Sequence, residues 1–187
     1  MKFCSDCAHE LEQKIPKGDT YMRYCCPNCN RIFYQNPAVV VGCMPIYEDK
    51  VLLCKRAIEP KVGKWTLPAG FMENGECVEE GAMRETFEEA HANVEIENLF
   101  TVFSVTNVNY VYMIFKAKLL DLNFKSGIES LDVKLFSKDE IPWDDLAFLS
   151  VKHCLKKYFN DDPKTHEKTS MGTFRLDNSK KELETNL

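Results

Sequence analysis

Four of the nine cysteines fall into two pairs, Cys4-Ser-Asp-Cys7 and Cys26-Pro-Asn-Cys29, with 18 residues between Cys7 and Cys26. No other feature confines the first 36 residues as tightly. Two residues between paired cysteines let a tight turn aim both sulfurs at one point, and four thiolates about 2.3 Å from a shared centre make a closed tetrahedral zinc site. A segment this short buries too little apolar surface to fold by itself, so Zn²⁺ at Cys4, Cys7, Cys26 and Cys29 is expected to be its main source of stability. Four sulfurs leave no open position for a catalytic water, so the role is structural. Cys25 could exchange into the site, but only Cys26 keeps the two-residue spacing. Cys43, Cys54, Cys77 and Cys154 stand singly in apolar or helical surroundings and read as small core residues. An odd cysteine count does not suit a closed disulfide framework.

After Asn36-Pro37 the texture changes. Residues 38–47 (AVVVGCMPIY) read as a buried strand, followed by a turn at 48–50 and a second strand, VLLCKRA, so a hairpin opens the main domain. The run is about half the ~20 residues a membrane-spanning helix needs, and it contains Gly42 and Pro45. The start, MKFCSDCAHE, has charges and cysteines where a secretory signal would place its apolar core. A cytoplasmic protein without a membrane partner is expected. A helix is expected from near Glu76 to Ala90, two antiparallel strands over LFTVFSV and YVYMIFKAKLL, a further strand over SLDVKLF, a capped turn at Ser137 to Glu140, and a last helix from Leu146 to Phe159. The 27 residues from Asp161 onward hold 11 charges and few apolar side chains. That is too little to offset ordering entropy. The expected organisation is a zinc ribbon at 1–36, an α/β domain at 37–160 and a disordered polar tail at 161–187.

The chemistry concentrates in Gly70 to Ala92. Glu85, Glu88 and Glu89 fall at i, i+3 and i+4 of the expected helix and share one face. Three like charges so stacked repel, and a solvated face would more often interleave lysine. The arrangement fits a hard divalent cation, with a bland acidic face as the alternative.

With the loop before it, this segment resembles the box of the Nudix hydrolases, G-x5-E-x7-R-E-U-x-E-E-x-G-U, at Gly70, Glu76, Arg84, Glu85, Glu88 and Glu89. Thr86 and Ala92 replace bulky aliphatics. His91 replaces the last glycine, a position that commonly closes the helix in the left-handed region, which histidine tolerates better than most residues. Lys64-Trp65-Thr-Leu-Pro68-Ala69-Gly70 is similar to the family's W-x-L-P-[AG]-G lead-in, and the cysteine pairs resemble those of its zinc-ribbon branch.

The resemblance implies an α/β/α sandwich around a mixed sheet, preceded by the ribbon. It implies Mg²⁺ or Mn²⁺ held by Glu85, Glu88, Glu89 and the Ala69 carbonyl, with Glu76 and Arg84 as the ion pair that positions them. Glu129, just before SLDVKLF, stands where many members place a distal acid. Homodimers are common in this branch. The substrate is then a small-molecule nucleotide, a nucleoside diphosphate linked to a second group. The S-Q-P-W-P-F-type segment of the NADH pyrophosphatases has no counterpart in Phe103 to Tyr110, so FAD or ADP-ribose is expected, with NADH and diadenosine polyphosphates as alternatives.

Arg56, at a strand end, could grip a phosphate through its planar fork or simply be solvated. Trp65 and Phe71 could stack on a base or pack in the core, and Phe148 and Tyr110 are weaker candidates of the same kind. Two competing classes remain. A non-enzymatic Nudix sensor is expected to lose box carboxylates, and all are present here. A zinc-ribbon nucleic-acid binder would use Lys14, Lys17, Arg23 and Arg31, although the net charge of −5 argues against nucleic acid as the main partner.

Overall fold

The computed structural model describes residues 1–177 and 180–184. They divide into two compact units, Met1–Pro37 and Ala38–Leu187.

The first unit is a three-stranded antiparallel sheet, β1 (Glu12–Lys14), β2 (Arg23–Cys25) and β3 (Ile32–Phe33), in the order β1-β2-β3. Each cysteine pair sits on the same backbone turn made twice. The Cys4 amide donates to the His9 carbonyl and the Ala8 amide returns to the Cys4 carbonyl, at 2.8 and 2.9 Å. The Cys26 amide donates to Arg31 and the Asn30 amide returns to Cys26, again at 2.8 and 2.9 Å. Ala8 and Asn30 both take the left-handed conformation, at φ 57° and 59°. The two turns bring Cys4 Sγ to 3.6 Å from Cys29 Sγ and Cys7 Sγ to 3.5 Å from Cys26 Sγ. All four sulfurs lie within 4.8 Å of one another. A tetrahedron with metal–sulfur bonds of about 2.3 Å has edges of about 3.8 Å, so the set fits zinc. Three basic residues of this unit sit in ion pairs. Arg23 pairs with Asp19 at 2.9 Å, Arg31 with Asp6 and Lys14 with Glu12.

The second unit is built on one mixed sheet. Its strands are β4 (Ala38–Tyr47), β5 (Lys50–Arg56), β6 (Trp65–Thr66), β7 (Ala69–Phe71), β8 (Val94–Val105), β9 (Tyr110–Leu119), β10 (Ser130–Phe136), β11 (Ser170–Asp177) and β12 (Lys180–Glu184). The order is β10-β5-β4-β9-β8-β11-β12, with β6 on β5 and β7 on β4. The pairs β4–β9 and β8–β11 are parallel. Two helices, α1 (Val78–Ala90) and α2 (Leu149–Asn160), cover opposite faces.

The α2 face buries Met44, Val51, Leu53, Ile114 and Leu155. On the α1 side, Val41, Cys43, Phe115 and Ala117 pack with Ala82, and Leu52 and Cys54 with Ala90. Side chains alternate between faces along β4, β5 and β9, so a sheet buried on both sides reads in sequence as near-continuous apolar runs. This is the α/β/α sandwich that the resemblance implies.

The expected hairpin is present, with a limit to its pairing, and one expectation is corrected. The hairpin of β4 and β5 pairs only beside its turn, Ile46↔Val51 and Tyr47↔Lys50. Past those residues β5 takes β6 and β10 as partners and β4 takes β7, which opens a split in the sheet. The correction concerns residues 161–187, expected to be disordered or loosely docked. Ser170 to Phe174 pair in parallel with Thr101 to Val105 of β8. Phe174 is buried in the core. The Lys157 ammonium donates to the Lys168 carbonyl and Thr169 Oγ1 to Leu99, at 2.8 and 2.7 Å. Order in the segment comes from backbone hydrogen bonds to an open strand edge, which composition does not register. Residues 178–179 and 185–187 lie outside the described residues.

The ribbon geometry predicts one zinc per chain that survives extensive dialysis, measured by elemental analysis. In Cys26→Ser the content is expected to fall well below one equivalent, with loss of protease resistance in residues 1–37. Unchanged zinc in that variant would refute the four-sulfur assignment.

Candidate active site

The split between β4 and β5 is crossed by residues 65–71, and α1 lies behind it. The helix begins where local chemistry favours a start. Cys77 is its N-cap, Glu80 accepts from the Cys77 amide at 2.8 Å, and Glu79 and Glu80 place negative charge in the first turn. It ends at His91, in the left-handed region at φ 46°, whose amide donates to the Phe87 carbonyl at 2.7 Å. Histidine thus fills the place for which the box usually supplies glycine.

Arg84 organises the loop and the helix together. Its Nε and Nη2 clasp both oxygens of Glu76 at 2.9 and 2.8 Å, and Nη2 also donates to the Phe71 carbonyl at 3.1 Å. Nη1 reaches Glu85 at 2.7 Å and Glu88 at 3.2 Å. Glu76 accepts a further bond from the Glu73 amide at 2.7 Å. The Arg84 guanidinium, then that amide, hold the Glu76 carboxyl down at about 2. Gly70 lies directly under the Glu85 carboxylate, where a Cβ would collide with it.

These groups face a cavity of about 990 Å³. Its acidic wall is Glu85, Glu88, Glu89 and Glu129, with Ala69 beside them. Glu88 is 57% exposed at the side chain, while Glu89 is only 7% exposed. Burial, then the Glu85 charge, push the Glu89 carboxyl up to about 8, with Arg56 a smaller opposing influence. Burial also raises Glu85, partly offset by Arg84. The charge of Glu129 adds to the repulsion at both. A buried carboxylate among other carboxylates, with no ion pair of its own among the described residues, is a donor set suited to a hard divalent cation. Its geometry is looser than that of the cysteines, the only group among the described residues whose ligand atoms all approach within 4.8 Å.

Arg56 also lines the cavity, near enough for its charge to act on Glu89. Its Nε donates to the Pro60 carbonyl at 2.7 Å, and its guanidinium lies 5.4 Å from the Phe148 ring centre. Phe71 is 49% exposed in the same cavity and meets Tyr110 edge to face at 5.2 Å. Trp65 is elsewhere. It is 8% exposed, packs edge to face on Phe136 at 4.8 Å, and does not line the cavity. Its assignment to substrate is therefore corrected to core packing, the other use its sequence context allowed. Tyr112 lines the cavity and was missed. It follows Tyr110 by two residues on β9 and is paired across β4 with Phe71 through Val40, a signal visible only once the strand register is known.

The NUDIX domain family model matches residues 36–153, and the Nudix N-terminal zinc-ribbon model matches residues 2–35. A protein of Methanocaldococcus jannaschii named ADP-ribose pyrophosphatase is 30% identical over 113 residues, 58% of this chain and 67% of that one. A Chromobacterium violaceum protein named NAD-capped RNA hydrolase NudC is 34% identical over 105 residues, 55% of this chain and 36% of that one. The match thus spans about a third of that relative. The crystal structure of a NUDIX hydrolase from Nitrosomonas europaea superposes with a TM-score of 0.90 at 55% identity, covering 94% of this chain and all of that one.

Burial of Glu89 has a consequence for stability. Between the ordinary glutamate range, near 4.5, and about 8, the folded chain holds a proton that the unfolded chain has released. This contribution is fully present below the lower value and is lost as pH rises through the upper one. In buffer free of Mg²⁺ and Mn²⁺, the Tm of the wild type is expected to fall between pH 5 and 8.5 by at least ~3 °C more than that of Glu89→Gln. Parallel slopes would show that Glu89 ionises normally.

Proposed function

As the chain belongs to the NUDIX domain family, we propose that it hydrolyses the pyrophosphate bond of a nucleoside diphosphate linked to a second group, FAD or ADP-ribose, giving AMP and the partner monophosphate. The observation that carries this reading is the buried, mutually repelling Glu85–Glu89 pair opening onto a cavity of about 990 Å³ that Arg56 also lines. That volume is at the upper end of the usual range for small-molecule sites, in keeping with a dinucleotide-sized ligand.

Glu85, Glu88 and Glu89, with the Ala69 carbonyl, are the groups that would hold Mg²⁺ or Mn²⁺. When bound, the cation neutralises phosphate charge and acidifies a water. Arg84 and Glu76 act at one remove. Their bidentate pair, closed onto the Phe71 carbonyl, fixes the height of the 70–76 loop over α1 and so the aim of Glu85.

Arg56, steadied by the Pro60 carbonyl, has N–H groups to spare for phosphate oxygens. Glu129 stands on the acidic wall, where it would take the proton of the attacking water. Attack in line at phosphorus breaks one P–O–P link and leaves two monophosphates. Phe71 and Tyr110 offer apolar surface for the ring of the nucleoside. A sensor without catalysis would have no use for the full carboxylate set, whose repulsion favours a bound cation.

Glu88→Gln keeps shape and removes one charge from the face. It is expected to lower kcat at least ~10²-fold with Mg²⁺ or Mn²⁺ while leaving Tm nearly unchanged. Full activity in that variant would count against the mechanism. Across FAD, ADP-ribose, NADH, diadenosine polyphosphates and nucleoside triphosphates, kcat/KM is expected to be highest for FAD or ADP-ribose. An advantage of more than ~10-fold for NADH, about 1.4 kcal/mol at the transition state, would reverse the substrate assignment and keep the reaction class.

A further inference from the structure

Glu129 reaches the cavity from the connection between β9 and β10, and that connection is fastened at both ends. The Lys125 amide donates to the Ala90 carbonyl and the Gly127 amide to the Glu89 carbonyl, each at 2.9 Å. These belong to the last carbonyls of α1, which the helix itself leaves without partners. On the far side, the Glu129 carbonyl accepts from the Ala57 amide at 2.8 Å, next to Arg56. The Ser130 amide closes back on the Gly127 carbonyl at 3.2 Å. Gly127 to Glu129 therefore bridge the last turn of α1 and the end of β5, the two elements that carry the acidic face and Arg56.

Gly127 makes this approach possible. A Cβ there would overlap the Glu88 carbonyl oxygen and stand 2.9 Å from Glu88 C and 3.1 Å from Glu89 Cα. All three are backbone atoms and cannot rotate aside. Its φ is not in the left-handed range, so the requirement is for space and not for a special conformation.

We propose that Gly127 is a positioning residue for Glu129: the missing side chain lets the connection lie against α1 closely enough to hold the Glu129 carboxylate beside Glu85 and Glu89. The proposal rests on the catalytic reading of Glu129 given above. A connection that merely capped the helix would need only its amides. Seating directly on the Glu88 backbone instead ties the loop acid to the two elements whose side chains make up the rest of the site.

The test is a double-mutant cycle on the full-length protein with Gly127→Ala, Glu129→Gln and both together, and Ser126→Ala as a neighbour that touches no site group. Gly127→Ala is expected to lower kcat at least ~10-fold with KM changed less than ~3-fold, and the double variant to lie within ~3-fold of Glu129→Gln alone. Wild-type kcat in Gly127→Ala, or losses that multiply in the double variant, would overturn the proposal.

Hydrogen exchange supplies a readout that needs no substrate. The 121–131 segment is expected to exchange slowly in the wild type and fast in Gly127→Ala, while α1 keeps its protection. Fast exchange in the wild type would overturn the proposal. A wild type that hydrolyses none of the nucleotides would overturn the proposed function, and exchange would then decide the Gly127 question alone. Should Gly127→Ala not fold, Lys125→Pro, which removes the amide donor to Ala90 and fixes φ at that position, is measured in the same way.

Discussion

The bidentate clasp of Arg84 on Glu76 is the contact from which the site takes its shape. One guanidinium touches the loop through Glu76 and the Phe71 carbonyl, and the helix through Glu85 and Glu88. Its planar fork lets these contacts share one geometry, which a lysine could not do. Gly70 can then pass beneath the Glu85 carboxylate, and Ala69 comes to stand at the acidic wall. The pair is half-buried, and its net contribution to stability is small beside the positions it fixes. Its value is that it sets the register of a loop against a helix.

The sheet explains why the site is where it is. A strand pair continued along its whole length would have no interior opening, because every backbone group would be matched. Here β4 and β5 separate after two residue pairs, and each finds a different short partner. The opening that results is bordered by β7 on one side and by β5 and β6 on the other. The carboxylates of α1 face it from behind the sheet, while Phe71, Tyr110 and Tyr112 line the cavity in front. An acid such as Glu89 can be largely withdrawn from water and still border a cavity that substrate can enter.

What could be read in the chain was what is local in sequence. The three glutamates, Arg84 and Glu76 are related by helical spacing and one loop, and the cysteine pairs by a turn of fixed length. The left-handed ending at His91 was legible only through the resemblance, whose box places a glycine there, a position histidine tolerates better than most residues. Trp65 was ambiguous because an aromatic residue beside a glycine loop carries no mark of which way it points. Tyr112 and the pairing of β11 with β8 depend on register between distant strands, which single-chain patterns do not contain. The early part of β8 was obscured by two irregularities, between Ile96 and Asn98 and between Leu99 and Thr101, which shift the alternation of its apolar residues.

The parallel pairing of β11 with β8 bears on how the chain is made. Thr101 to Val105 present an open row of amides and carbonyls until Ser170 to Phe174 arrive beside them. During synthesis some 65 residues separate the two segments, a few seconds at ordinary elongation rates, and the long antiparallel β8–β9 pair can form well before its outer edge is covered. A nascent chain in that interval resembles a sheet offered to its neighbours, and crowded ribosomes would present identical edges to one another. Strand β11 thus acts as a guard against self-association, and it is made only after the edge it covers.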